Sequence, residues 1–360
     1  MCNPRHGVPG FEESENGSTE TRQKLTTKDP KNTKQCHDMA NLRLTLSCNE
    51  YDRTRFLVDG TIKAEGIDLD ILALPSEERH RRFSRGLEFD VCELQMGVFL
   101  GWIGRGAPFR AIPVFPHRKF CHGNVLVHAA SGIQTAEDFA GKIVGMRAHF
   151  NPVSLWMRGI LQDEYGVPAR SLKLRTNQQE QVPGWKPPEW MQIERLPKGQ
   201  KIEDVLPRGE IDGCMLPEIS PKHLRIPGVR RLWPNFREVE KRYYVRTRIF
   251  PIRHVVVVKN AILEKNPWVA ESLVKAFSEA KEMGIKHVSD TRRSFLAWYG
   301  AELEEERELF GGEPWPYNLR DNRHVLETMT RYAEMVGVTE RKLEIGDLFA
   351  EDLLDGESHG

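Results

Sequence analysis

Chemistry near neutral pH needs groups that hold charge and groups that move protons. A few residues here are spaced to do both. Arg53 comes just after an alternating stretch, residues 42–48, and Glu93 lies near the end of another, residues 89–94. A short run between two further stretches carries His117, Arg118, Lys119 and His122, and His254 stands directly ahead of four valines. Arginine grips a carboxylate through a planar fork, and histidine exchanges a proton near neutrality. A carboxylate such as Glu93 can take a proton, orient an imidazole or ligate a metal. Together these groups suit acid/base work on a small anionic molecule.

Plainer readings stand beside these. Arg53 would pair with Asp52 at the surface, the 117–122 run would be a basic turn, and His254 would be a hydrogen-bonded core histidine. Glu93, His122 and His254 would also make a two-histidine, one-carboxylate site for a divalent metal. No HxH or HxxxH spacing supports that set, and no cofactor is expected. Asn151 followed by Pro152 reads as a helix start whose free N–H groups suit an anion, with Ser154 adding a hydroxyl. An ordinary capped helix explains the same residues. Tyr244, beside Tyr243, would face an aromatic ligand or simply the core. No P-loop, GxGxxG after a strand, GxSxG or HExxH is present.

The elements that must position these groups alternate. Period-two patterns predict strands over 42–48, 67–72, 89–94, 109–115, 125–128, 142–146, 172–174 and 210–216, and the apolar run 255–258 reads as a buried sheet centre. Helices are expected over 53–60, from a Ser76 cap to about 86, from 135, from Asn151 to 165, and over 266–287, 291–308 and 322–336. Residues 177–200 read as an irregular excursion. Such alternation indicates α/β with largely parallel sheets, the chain crossing between two lobes, and a ligand at the C-terminal ends of the strands.

The chain has 360 residues, 52 basic and 52 acidic, which argues against a nucleic-acid binder with a broad basic surface. It has no apolar run of the roughly 18 residues that a membrane helix needs. Residues 1–38 hold too few apolar side chains to offset chain entropy and are expected to be disordered, with Met39 a candidate start. They lack a signal-peptide core, so a cytoplasmic, reducing location is expected, with Cys48, Cys92 and Cys214 as buried thiols.

Several segments carry a resemblance. Glu50-Tyr51-Asp52-Arg53-Thr54, Gly66-Ile67-Asp68-Leu69 and Phe89-Asp90-Val91 resemble the opening of the 4,5-dihydroxyphthalate decarboxylase family. The likeness continues through residues 112–122, 156–167 and 249–254, then Asn266-Pro267-Trp268 and Trp315-Pro316-Tyr317, and spans nearly all of 41–350. It implies a fold similar to type II periplasmic binding proteins: two α/β lobes joined by two crossing strands, here residues 39–125 with 250–360, and 126–249. It also implies a carboxy-lyase acting on a hydroxylated aromatic carboxylate. Arg53 and Arg118 would hold carboxylates, His122 or His254 would move protons, and Glu93 would orient or deprotonate; the likeness favours His122 over His117. Departures at Glu50, Cys92, Gln95, Cys121 and Gly123 fall near the expected cleft and leave the exact substrate open. A solute-binding protein without catalysis, or a different lyase or hydrolase of the same fold, are the other readings. A homo-oligomer is compatible with all of them.

Overall fold

The computed structural model describes residues 40–353. The expectations for residues 1–38, the Met39 start among them, lie outside these residues. Among the described residues, eleven strands form two sheets. The first, in the order β2-β1-β3-β11-β4, contains β1 (Leu42–Cys48), β2 (Ile67–Ala73), β3 (Val91–Gln95), β4 (Phe109–Arg118) and β11 (Ile252–Lys259). The second, ordered β10-β5-β9-β6-β7-β8, contains β5 (Val125–His128), β6 (Ile143–Met146), β7 (Lys173–Thr176), β8 (Ile193–Arg195), β9 (Gly213–Met215) and β10 (Val229–Arg231). The chain therefore leaves the first sheet after β4 and returns to it with β11.

Among the described residues, twelve α-helices flank the sheets: α1 (Arg55–Val58), α2 (Ser76–Gly86), α3 (Met96–Ile103), α4 (Pro152–Tyr165), α5 (Ile202–Val205), α6 (Pro221–Leu224), α7 (Phe236–Thr247), α8 (Asn260–Leu263), α9 (Trp268–Ser289), α10 (Tyr299–Phe310), α11 (Arg323–Met335) and α12 (Ile345–Leu348). No helix among the described residues is long and apolar enough to cross a membrane.

The architecture is α/β, but both sheets are mixed rather than largely parallel. β11 runs antiparallel to β3 and β4, and β5 runs antiparallel to β9 and β10. β11 is the central strand its four valines indicate: Val255–Val258 are wholly buried between β3 and β4. Several local expectations change, and the 177–200 stretch expected to be irregular contains strand β8 (Ile193–Arg195), paired with β7. Ser76 is the first residue of α2, and Pro75, with no side-chain acceptor, holds the cap position. The helix expected from 135 is a single 3-10 turn, Glu137–Phe139. That expected over 291–308 begins at Tyr299, because the Asp290 carboxylate accepts from Arg292 N–H and closes a separate turn.

The glycine-rich stretch near 101 proves to be a packing device. A Cβ on Gly97 would lie 2.0 Å from the Phe150 carbonyl oxygen, and one on Gly101 would lie 2.4 Å from the Phe150 ring. These two glycines, one turn apart on α3, let that helix seat against the segment that leads into α4.

Candidate active site

Glu93 is the hub. It sits on β3, between β1 and β11, with its side chain wholly buried. An isolated buried carboxylate is strongly unfavourable, so its oxygens are fully used. Arg79 Nη2 lies 3.0 Å from Oε2, which also accepts from Asn49 N–H at 2.8 Å. Oε1 accepts from the Tyr51 hydroxyl at 2.9 Å and faces His254 Nδ1 at 2.5 Å. Arg79 reaches in from α2, where residues 79, 80 and 83 form the buried stripe, and it also donates to the Glu93 and Leu74 carbonyls. Burial alone pushes the Glu93 carboxyl up. The Arg79 guanidinium and the His254 and Asn49 hydrogen bonds outweigh it and hold the group well below the usual carboxylate range. This favours the anion.

His254 inherits its geometry from the sheet. On β11 it pairs with Gln95 of β3 on one side and His117 of β4 on the other. The β11–β4 register shifts on both sides of His254. In β4, Pro113 and Pro116 cannot donate to a ladder, and such irregularities re-aim side chains. Burial pushes the His254 imidazole below its ordinary range, and Glu93 offsets only part of that. The ring is therefore neutral, its Nδ1 proton held by Glu93, and Nε2 presents a lone pair. Nε2 makes no hydrogen bond among the described residues. The rings of His117, at 4.7 Å, and His80, at 5.2 Å, stand edge-on to it.

Arg53 occupies the rim. Its guanidinium lies between the rings of Tyr51 and Trp315, 4.1 and 4.3 Å from their centroids. Nε donates to the Pro116 carbonyl and Nη1 to Asp52, while Nη2 has no partner among the described residues. The planar group is thus pinned with one prong free. His117 stacks on Tyr51, and its buried Nδ1 has no partner; neither has the buried Tyr317 hydroxyl.

Of the residues the sequence singles out, Glu93 and His254 meet directly, and Arg53 joins them through Tyr51. The others do not touch the Glu93–His254 pair. Arg118 is buried, donating to Asn322 Oδ1 and the Phe250 carbonyl, and burial lowers its pKa to about 10. His122 lies on a 3-10 turn between Trp233 and Tyr243, with ring centroids 5.1 and 5.2 Å away, and not against Glu93 or His254. Its turn packs on α7, which keeps the ring from the Glu93 cluster. The preference for His122 over His117 is therefore reversed in space: His117 is the one beside His254. The Glu93, His122 and His254 metal set is not assembled, and no group of three or more His, Cys, Asp or Glu among the described residues is placed to hold an ion.

Asn151 does cap α4, accepting from Val153 N–H at 3.0 Å, but Ser154 spends its hydroxyl on the Asn151 carbonyl at 2.9 Å. Tyr244 packs on Phe310 and Phe120. Sequence reasoning missed Arg79, Tyr51 and His80, and it ranked His117 below His122. For Arg79 and His80 a signal existed: with Phe83 they share one helical stripe, which must face inward if Phe83 does.

No family model matches the sequence. A curated 4,5-dihydroxyphthalate decarboxylase from Comamonas testosteroni is 31% identical over 320 residues, covering 86% of this chain and 97% of that one. A second, from Pseudomonas putida, is 28% identical over 186 residues, covering 50% of this chain and 72% of that one. Among solved structures, the periplasmic aliphatic sulphonate binding protein SsuA from Escherichia coli aligns over 87% of this chain and 98% of its own at 14% identity, with a TM-score of 0.49. On the near full-length match to the Comamonas protein, the chain belongs to the 4,5-dihydroxyphthalate decarboxylase family.

Proposed function

We propose that this protein is a carboxy-lyase that releases carbon dioxide from a hydroxylated aromatic carboxylate, with 4,5-dihydroxyphthalate the first substrate to test. The near full-length relationship to a decarboxylase carries the reading. The Glu93–His254 pair supplies a base to perform it. In this account Arg53 holds a ring carboxylate through its free prong. His254 Nε2 takes the proton of a hydroxyl para to the carboxylate that leaves, and Glu93 stabilises the resulting imidazolium. Electrons pushed from that oxygen let the para carbon accept a proton. The carbon–carboxylate bond then breaks, its pair restores the aromatic ring, and carbon dioxide departs. The hydroxyl recovers its proton from His254, so each turnover draws one proton from solvent.

No step in this account uses a cofactor or metal. Arg118, buried against Asn322, and His122, held by Trp233 and Tyr243, are not assigned to it. All four described cysteines are free and buried thiols, in keeping with a cytoplasmic setting. Incubation of the purified protein with 4,5-dihydroxyphthalate is expected to release carbon dioxide and 3,4-dihydroxybenzoate, unchanged by a chelator. Absence of carbon dioxide from every hydroxylated aromatic acid offered would overturn the reading.

A further inference from the structure

Glu93 Oε1 serves two partners at once. It accepts from the Tyr51 hydroxyl at 2.9 Å and holds His254 Nδ1 at 2.5 Å. Oε2 is taken by Arg79 and the Asn49 N–H. The phenol and the imidazole therefore draw on the same oxygen. Burial and the Glu93 charge push the Tyr51 phenol well above its ordinary range, so it keeps its proton and donates to the carboxylate.

The same side chain also serves the rim. One face of the Tyr51 ring carries the Arg53 guanidinium, 4.1 Å from the ring centroid, and the His117 ring stacks at 6.0 Å. One tyrosine thus touches the base through its hydroxyl and the anchor through its ring.

The turn that presents Tyr51 is held on several sides. Thr54, wholly buried, accepts from Tyr51 N–H at 2.8 Å and donates to the Asn49 carbonyl at 2.7 Å. Arg55 N–H closes back on the Tyr51 carbonyl at 2.8 Å. Behind the turn, α9 comes so near that a Cβ on Gly284 would lie 2.4 Å from the Asp52 carbonyl oxygen. Residues 49–54 therefore deliver three groups from one fixed piece of backbone: the Asn49 N–H and Tyr51 hydroxyl to Glu93, and Arg53 to the rim.

We propose that Tyr51 is a positioning residue that sets the basicity of His254 through Glu93 and the aim of Arg53 through its ring. The roles of His254 and Arg53 are those of the decarboxylase reading above, on which this assignment rests. Around His254 stand Glu93 from β3, Arg79 and His80 from α2, His117 from β4 and Arg253 from β11 itself, with Tyr51 and Arg53 from the turn after β1. Glu93 is the anion of this set, so its charge decides how readily the ring takes a proton. A hydrogen bond to a carboxylate disperses part of that charge. Without the phenol, Oε1 belongs to His254 alone, and the imidazolium is favoured.

Two variants separate the two halves of Tyr51. Tyr51→Phe keeps the ring and drops the hydroxyl, whereas Tyr51→Met fills the space without a π face. Thermal melts check that each folds, and Tyr51→Leu is the second choice should the Met variant not fold. His254 is titrated by histidine NMR, its resonance identified by its loss in His254→Asn, and the acid limb of kcat/KM reports the same base in the free enzyme. Calorimetry gives the affinity for 3,4-dihydroxybenzoate. In Tyr51→Phe, His254 should titrate about one pH unit higher than in the wild type, the order of one hydrogen bond to a charged group. The acid limb should move up with it, and the affinity should stay within about threefold because the stack on Arg53 remains. In Tyr51→Met the same upward move should come with binding about tenfold weaker.

A tyrosine with a structural role alone would lose thermal stability on removal of its hydroxyl and leave His254 where it is. The proposal is therefore overturned if Tyr51→Phe titrates as the wild type does, or if it weakens binding as much as Tyr51→Met. The NMR titration needs no turnover. A shifted His254 in a protein that releases no carbon dioxide would uphold the phenol's control of the base and overturn the decarboxylase reading. An unshifted one in an active protein would do the reverse.

Discussion

His254 and His122 are both buried histidines, and the sequence offers both for the same task. Their surroundings divide them. His254 stands on a sheet rung with a carboxylate on one nitrogen and the other nitrogen free. His122 is enclosed by Trp233 and Tyr243 with its Nδ1 unpaired, and burial, with a smaller effect from Arg246, pushes its pKa down to about 3. Burial alone makes an imidazole a poor base. A buried anion behind the ring is what lets it accept a proton, because the imidazolium then has a counter-charge in place.

The largest effect should follow from removing that anion. Glu93→Gln leaves the buried Arg79 charge uncompensated, and breaking such a pair costs about 3–5 kcal/mol. Urea unfolding at neutral pH should show this loss, and catalysis should fall with it. A loss below about 1 kcal/mol would mean that the ion pair does not organise the site.

Next comes the direct contrast. His254→Asn should lower kcat by about 10²–10⁴-fold, the usual reach of a general base. His122→Phe, a ring of similar size among aromatic neighbours, should keep kcat within about threefold. Equal losses in the two variants would erase the distinction between the two sites.

The contrast also marks what could be read from sequence. Most strands, the buried valine centre and the Asn151 cap were legible because period and capping chemistry are local, whereas the three-residue strands β8 and β10 are too short to show a period. Glu93 and His254 were legible as chemistry-bearing types at strand ends. Their pairing was not, since it depends on β11 returning from about 160 residues away to lie beside β3, and one sequence carries no register for such a long closure. His117 and His122 illustrate the same limit. They differ by five positions, yet β4 ends between them, so one remains on the sheet beside His254 and the other turns onto α7. Arg79 was overlooked because a charged side chain on a helix reads as solvent-facing, although the stripe it shares with Phe83 pointed inward.

A smaller effect is expected at the rim, which the His254 site has and the His122 pocket lacks. Arg53→Lys keeps the charge but loses the planar stack between Tyr51 and Trp315 and the Nε bond to the Pro116 carbonyl that aims the free prong. kcat/KM should fall by about 10–100-fold, carried mostly by KM, with thermal stability nearly unchanged. A fall in kcat with KM constant would move Arg53 from anchoring the substrate to stabilising the transition state.

The last difference appears in acid. His80, His117, His122, His149 and His254 all titrate below the ordinary imidazole range in the folded protein, chiefly through burial. The unfolded chain takes up these protons near pH 6.5, whereas the folded protein resists them. Their contribution to stability is therefore complete above about pH 6.5 and is lost as pH falls, at about 1.4 kcal/mol per pH unit for each histidine. For His122 the loss runs from about 6.5 down to its folded value of about 3. His122→Phe removes one such proton without touching the Glu93 network. Unfolding free energies from urea titrations between pH 6.5 and 4.5 should therefore fall less steeply in this variant than in the wild type, by about 1.4 kcal/mol per pH unit. An unchanged slope would show that His122 already holds its proton in the folded state, which would restore it as a proton donor and undo the distinction from His254.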